Sequence, residues 1–335
     1  MPGRLNSFQK TMLQWNDMHP YNAVHVVRIP GVLDGAQLRL SLNSSLEERC
    51  LTHLVLDRKR NSYAYLGGPT DCDAKVITGE ADPVLVLQAE IERQINTPFV
   101  PAERINPFRF FAVTTTDTFF LGLAYFHPVS DAESIVLLLR DLVRAYLKKT
   151  HAKPPFGLEL YPDHRARLLR HHTAVVVSKV LALPAQSRNL KQSNRPRYRD
   201  AQDFKNGFRL FSLIPERLRR LLAAAKSWDV TVNDVLLALL MKSVSPLSGR
   251  RRSAAKRTKM SVGCIVNLRR ELGIDSAQTF GLFLGSFTVT HAVPEGVALR
   301  ELASDIRQQT LAIKQKQLYL ATPMELGVGR FVLRF

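Results

Sequence analysis

Cysteine is scarce in this chain: three in 335 residues, at Cys50, Cys72 and Cys264. An odd and widely spaced set gives neither a disulfide framework nor a zinc pattern. Three inert thiols in a reducing cytoplasm are expected. Long apolar runs are missing as well. Stretches such as Phe119 to Phe126 are too short to span a bilayer, which takes about 20 apolar residues as a helix. The opening Met1-Pro2-Gly3-Arg4-Leu5-Asn6 lacks the apolar core of a signal peptide. The expectation is a cytoplasmic protein with no transmembrane segment. Internal repeats and low-complexity tracts are also absent, and 45% apolar with 23% charged residues is ordinary globular composition. Gly67-Gly68 and Gly327-Val328-Gly329 lack the strand-to-helix setting of a nucleotide loop and read as turns. Ser62 and the other serines show no nucleophile elbow. His171-His172 has no Cys, Asp or Glu at ligand spacing, so no metal site is expected.

Acidic residues are in deficit: 29 against 47 Lys and Arg, a net charge of +18. The surplus is local. Residues 151–215 hold twelve basic and four acidic residues, and Arg250, Arg251, Arg252, Lys256, Arg257 and Lys259 add six more with no acid. The first 150 residues are balanced. A nucleic-acid reading therefore rests on charge alone, and no aromatic residue interleaves the 250–259 run as a single-strand binder requires. A solvated loop is the plain reading of that run. Attraction of a phosphate-bearing donor or an acidic partner protein is the functional one.

The length favours two domains of roughly 150 residues each. We place an N-terminal unit at 1–185, a polar, basic connection at 186–206 containing Pro196, and a C-terminal unit at 207–335. Residues 23–29 read as a strand, and Asp34 opens a helix carrying Leu38, Leu42 and Leu46. A helix covers 84–95. Two strands follow, 109–113 and 118–126. The second is apolar almost throughout, the pattern of a central strand covered on both faces. Ser130 and Glu133 have capping-box spacing, and Ile135, Leu138, Leu139, Leu142, Val143 and Tyr146 make one helical stripe. Further on, 208–213 alternates as a strand, and 215–226 and 231–244 read as helices. Thr231 is the N-cap of the second, with Val232, Val235, Leu236, Leu239 and Leu240 as its apolar face. Residues 260–266 and 282–289 read as buried strands, 297–317 as a long helix, and the tail 327–335 as ending in a strand. The fold class is α/β.

The chemistry signal is His127-Pro128-Val129-Ser130-Asp131, between the end of a buried strand and the start of a helix. Ligand sites of α/β proteins favour that position, and histidine is the side chain suited to moving protons near neutral pH. Alone, this spacing is better read as that of a satisfied structural histidine. Its surroundings carry more weight. Asn96-Thr97-Pro98-Phe99 and Pro107-Phe108-Arg109-Phe110 come before it. Ser134 and Asp141-Leu142-Val143-Arg144-Ala145-Tyr146 follow, then Thr231-Val232-Asn233-Asp234-Val235-Leu236-Leu237-Ala238, Val266-Asn267-Leu268-Arg269 and Phe280-Gly281-Leu282-Phe283.

In this order and spacing the segments, from about Val24 to about Gln317, resemble the chloramphenicol-acetyltransferase-like superfamily. That group holds condensation domains and the HxxxD acyltransferases, with an H-H-x-x-x-D-G motif. The resemblance implies two similar α/β subdomains, each a mostly mixed sheet flanked by helices, with an active-site channel between them. It implies an acyltransferase of secondary metabolism that uses a thioester donor, either an acyl-CoA or an acyl group on a carrier protein's phosphopantetheine arm. The acceptor is an alcohol or amine, and no cofactor is permanently bound. His127 matches the catalytic base. Asp131 matches the site-orienting Asp, with Arg269 as its candidate partner. Ala132, Asn267 and Gly281 are channel-lining or structural candidates. The chain departs from the motif at two places, with Phe126 at the first His and Ala132 at the Gly. It also lacks the late Ser-Asn strand of longer members, so the C-terminal subdomain is expected to be shortened. A non-catalytic condensation-like domain that binds a carrier protein or ligand is the alternative.

Overall fold

The computed structural model describes residues 3–79, 82–99, 103–148, 158–160, 173–194, 205–248, 258–323 and 325–326. Its first lobe holds β1 (Gly3–Arg4), α1 (Ser7–Met18), β2 (Asn22–Pro30), α2 (Gly35–Glu48), β3 (Leu54–Asp57), β4 (Ser62–Tyr65), β5 (Ala74–Thr78), α3 (Pro83–Asn96), β6 (Phe108–Thr114), β7 (Thr118–Phe126) and α4 (Ala132–Tyr146). The second holds α5 (Thr173–Gln192), α6 (Pro215–Ser227), α7 (Val232–Ser248), β8 (Met260–Asn267), the single turn α8 (Arg269–Leu272), β9 (Leu284–His291) and α9 (Leu299–Gln315).

A four-stranded sheet in the order β2-β7-β6-β5 centres the first lobe, with β5 parallel to β6 and the other pairs antiparallel. β7 is nearly all apolar because it is central: α2 and α4 cover one face, and α3 covers the other. Phe119, Leu121, Leu123 and Tyr125 join the main core with Leu38, Leu42, Leu46, Leu138 and Leu142. At Gly122 the sheet needs a glycine. Gly122 stands opposite Phe111, and a Cβ there would lie 2.1 Å from Cζ of the Phe111 ring. A smaller sheet, β1-β4-β3, flanks this lobe.

The second lobe has its own core, in which Val235, Ala238 and Met241 of α7 meet Leu302 and Ile306 of α9 and Phe287 and Val289 of β9. Its described sheet is the antiparallel pair β8-β9. The fold is thus α/β and two-lobed. No single described helix is long and apolar enough to cross a membrane.

Several elements depart from the sequence expectations. α4 is not capped by a Ser130–Glu133 box. Asp131 is the N-cap and accepts from the Ser134 N–H, so the helix starts one residue later. Residues 208–213 form no strand. Their backbone bonds to side chains of α3 instead, Phe208 N–H to Glu92 and Leu210 N–H to Gln88, and among the described residues no neighbouring strand supplies carbonyls. α7 buries a different face from the one expected. Val235, Leu237, Ala238 and Met241 are buried, whereas Leu236, Leu239 and Leu240 are exposed. The Thr231 hydroxyl does accept from the Asp234 N–H as a cap. Asp234 is itself buried and accepts from the Thr310 hydroxyl of α9 at 2.8 Å, which rotates its own side of the helix inward. β8 is only half covered, with Ile265 59% exposed. β9 begins at Leu284, leaving 280–283 free for another task. α5 runs to Gln192, through the stretch expected to begin the connection, and its Val175 packs against the second core. Residues 195–204, His171-His172, the Arg250–Arg257 run and the tail 327–335 lie outside the described residues.

Candidate active site

The β2–β7 register decides where the site forms. Asn22 pairs with Phe126, so Tyr21 and His127 come side by side as both strands end. The Tyr21 carbonyl accepts from the His127 N–H at 3.2 Å, and the two rings stack with centroids 5.6 Å apart. Tyr125 meets His127 edge-on at 5.5 Å. Trp15 of α1 backs Tyr21 at 5.2 Å. Residues His127–Val129 make a 3₁₀ turn that returns the chain so that the Ser130 carbonyl lies 3.0 Å from His127 Nδ1. A carbonyl can only accept, so Nδ1 carries the proton and Nε2 keeps its lone pair. Nε2 has no partner among the described residues. Burial among the aromatic rings pushes the imidazole below the ordinary histidine pKa, partly offset by the Ser130 carbonyl and the Asp131 charge. Near neutral pH the ring is therefore an uncharged base.

Asp131 has a different environment. It is 1% exposed, and Arg269, 3% exposed, reaches it from the second lobe. Arg269 Nη1 donates to Oδ2 at 2.7 Å and Nη2 to Oδ1 at 2.9 Å. The N–H groups of Ser134 and Phe283 donate to the same carboxylate at 3.1 and 2.9 Å. With four donors on two oxygens, Asp131 is saturated and has no capacity left for proton transfer to a substrate. Arg269 also donates to the Ser134 hydroxyl at 2.8 Å and lies over the Phe283 ring at 4.6 Å. Its Nε is sealed without a partner among the described residues. The Asp131–Arg269 pair is thus a link between lobes that sets the turn carrying His127.

The remaining candidates sit around that link. Gly281 takes part through its backbone. Its carbonyl accepts from the Asp131 N–H at 3.0 Å and the Ser134 hydroxyl at 3.1 Å, and its N–H donates to the Ser134 oxygen at 3.1 Å. Asn267 is exposed. Its Oδ1 accepts from the Arg269 N–H at 3.0 Å, and its amide donates to Glu133. Glu133 also accepts from Ser276. The side chain expected to close a capping box therefore ties α4 to the second lobe. Ala132 is the first residue of α4, exposed and helical. α1 clamps the turn from a third side: buried Gln9 donates to the Pro128 carbonyl at 3.0 Å, and Asn6 to the Leu282 carbonyl at 3.2 Å. A cavity lined by Arg4, Phe8, Tyr63, Leu268, Gly281 and Pro323 opens at the same junction, and its lining does not include His127. Among the described residues, no group of three or more His, Cys, Asp or Glu is placed to hold a metal ion.

Sequence reading alone misses Tyr21 and Gln9, and carries Phe283 only within a motif, with no role of its own. Tyr21 and Phe283 act through long-range pairing, Gln9 through a contact across 119 residues. The signal available for Tyr21 is its place just before a strand whose partner ends in His127.

The fold has many relatives of known structure. The first condensation domain of the calcium-dependent antibiotic synthetase, solved with a substrate analogue, superposes with a TM-score of 0.73 at 18% identity, over 95% of this chain and 76% of that one. The EpoB cyclization-docking bidomain from Sorangium cellulosum gives 0.68 at 14%, over 94% and 64%. The X-domain from teicoplanin biosynthesis gives 0.62 at 15%, over 97% and 73%. At such identities the likeness speaks for the fold alone. No curated protein sequence matches the chain. The family model for the condensation domain matches residues 4–323, nearly the whole length. With that match and a two-lobed fold joined across an HxxxD turn, the chain belongs to the condensation-domain family, within the chloramphenicol-acetyltransferase-like superfamily.

Proposed function

We propose that this condensation-domain protein is an acyltransferase that moves an acyl group from a thioester to an alcohol or amine, with His127 as general base. The carrying observation is the state of His127. Its Nδ1–H is engaged by the Ser130 carbonyl, its Nε2 lone pair is free, and the ring is uncharged near neutral pH. Nε2 takes the proton of the acceptor's hydroxyl or amine as that atom attacks the thioester carbonyl. The tetrahedral adduct then collapses and expels the thiolate, which takes up the proton held by His127 and leaves the imidazole neutral again. Asp131 and Arg269 hold the turn and touch no reacting atom. Gly281 serves the same link through its backbone, and Asn267 through Glu133. Ala132 opens α4 beside the turn.

The donor is an acyl-CoA or an acyl group on the phosphopantetheine arm of a carrier protein. Condensation domains work on thioesters presented in the second form, so a carrier protein is the preferred partner. No resident cofactor is needed for this chemistry. We assign the division of the chain as first lobe, connection and second lobe in the order expected, with the first boundary ahead of α5 (Thr173–Gln192) instead of at 185. α5 sides with the second lobe.

The test is to incubate the protein with a panel of acyl-CoA and acyl-carrier thioesters plus alcohol and amine acceptors, and to read acyl transfer by mass spectrometry. Acceptor-dependent product with any donor supports the reading. Its absence across the panel favours a condensation-like domain that binds a carrier protein or ligand without turnover, the reading to which Ala132 in place of glycine also points.

A further inference from the structure

Each of the two strands at the site brings a histidine, His25 within β2 and His127 just past the end of β7. His25 lies on β2 in register with Leu123 of β7, two residues before Tyr125. In an antiparallel pair, residues in register share a face, and the i+2 neighbour shares it too. His25 and Tyr125 are thus on one side of the sheet. Their rings lie 5.7 Å apart at 34°, and Tyr125 in turn meets His127 at 5.5 Å. The sequence makes Tyr125 the shared wall between two imidazoles.

The two rings are presented differently. His127 has its Nδ1 on a carbonyl. His25 has its Nδ1 sealed from solvent with no partner among the described residues, and Nε2 is not sealed in this way. A sealed N–H without an acceptor is rarer in proteins than a sealed acceptor without a donor. A neutral ring therefore keeps its one proton on Nε2. A charged ring would place a second N–H at the sealed nitrogen, so the charged form is disfavoured. Burial and the nearby His127 both act in that direction on its pKa. The outcome is a complementary pair on either side of Tyr125. One imidazole offers a lone pair, and the other offers an N–H.

We infer that His25 is a substrate-contacting residue whose Nε2–H donates a hydrogen bond to a carbonyl oxygen of the bound acyl thioester, while His127 receives the acceptor's proton. The inference rests on the thioester reading given above. It adds a residue outside the HxxxD turn and assigns it a specificity for carbonyl-bearing ligands. No bond to His25 forms or breaks, and its protonation state is unchanged through the reaction.

Two measurements test it. The first is the long-range ¹H–¹⁵N correlation spectrum of the substrate-free protein at pH 7.5, with the His25 signals assigned by their loss in His25→Gln. Nε2–H for His25 together with Nδ1–H for His127 is expected. A His25 that carries its proton on Nδ1, or is charged, overturns the inference. This reading needs no turnover, so its failure is separate from failure of the acyl-transfer assay. The second is equilibrium binding of acetyl-pantetheine and of the thioether in which its carbonyl is a methylene. The wild type should prefer the thioester about tenfold, the order expected for one buried hydrogen bond. His25→Leu should reduce the preference to below about twofold, and His25→Gln, whose amide reaches the Nε2 position, should restore most of it. Circular dichroism confirms that each variant is folded. A wild type with no thioester preference, or a preference that survives His25→Leu, overturns the inference.

Discussion

Arg269 closes on Asp131 from the opposite lobe, Nη1 on Oδ2 at 2.7 Å and Nη2 on Oδ1 at 2.9 Å, with both side chains buried. Two parallel bonds fix orientation as well as distance. The carboxylate that receives them is also the N-cap of α4, the helix that follows the His127 turn. The pair thereby ties the junction of the lobes to the placement of the His127 turn.

Removing one partner of this pair leaves the other charged and sealed. Arg269→Met should lower the stability to urea by about 3–5 kcal/mol. Arg269→Lys should recover only part, since an ammonium cannot match both oxygens. The double variant Asp131→Asn with Arg269→Met should be more stable than Arg269→Met alone, because no unpaired charge then remains. Urea titration of the three proteins measures this.

Acid should weaken both stability and rate. Burial holds His127 and His25 below the ordinary histidine pKa, and at His25 the His127 charge adds to the effect. When pH falls below about 6.5, the unfolded chain takes up protons that the folded protein resists, so stability drops with falling pH. It is fully present above that value. The rate should be flat above neutrality and fall at a lower pH, as His127 itself protonates. His127→Gln should remove its share of the acid sensitivity in thermal melts. A folded protein whose transition temperature is equal at pH 5.5 and 7.5 would contradict this.

Gly122 and Phe111 stand opposite each other in the central sheet. Gly122→Ala puts a methyl group 2.1 Å from Cζ of the Phe111 ring. Overpacking of this kind costs about 1–3 kcal/mol. Adding Phe111→Leu should return part of the loss, which a denaturation series on the single and double variants reads directly.

In the second lobe, Asp234 joins the start of α7 to α9 through Thr231 and Thr310. Thr310→Val removes a donor from a buried carboxylate and should cost about 1–3 kcal/mol. Thr231→Ala removes the cap and should cost about 1 kcal/mol. Hydrogen exchange should show the loss of protection concentrated in α6, α7 and α9.

What the sequence makes legible is local. The unbroken apolar run 118–126 announces a covered central strand, and the stripe from Ile135 to Tyr146 announces α4. The α4 cap is misread because Ser130 and Asp131 both suit an N-cap. The choice falls to Asp131 because Arg269 and the Phe283 N–H wait for its carboxylate, a fact outside local spacing. The face of α7 is misread for a similar reason. Leucines at 236, 239 and 240 look more apolar than a face that carries Asp234 and Ala238, yet the Thr310 hydroxyl draws the Asp234 side inward. The stretch 208–213 alternates like a strand, but alternation cannot say whether a partner strand exists. No periodicity joins Asp131 to Arg269 across 138 residues. Only the ordered set of distant motifs makes Arg269 a candidate. Tyr21 and His25 come into view only with the β2–β7 register, which a single sequence does not carry.

The most direct measurement compares His127→Ala with the wild type in single-turnover acyl transfer from a donor that the wild type uses, with circular dichroism and urea melts run on both. Loss of a general base should slow transfer by about 10²–10⁴-fold. The fold should be unaffected, since the His127 side chain supports no interlobe bond. A folded His127→Ala protein that transfers the acyl group at the wild-type rate would contradict the assignment of His127 as the base.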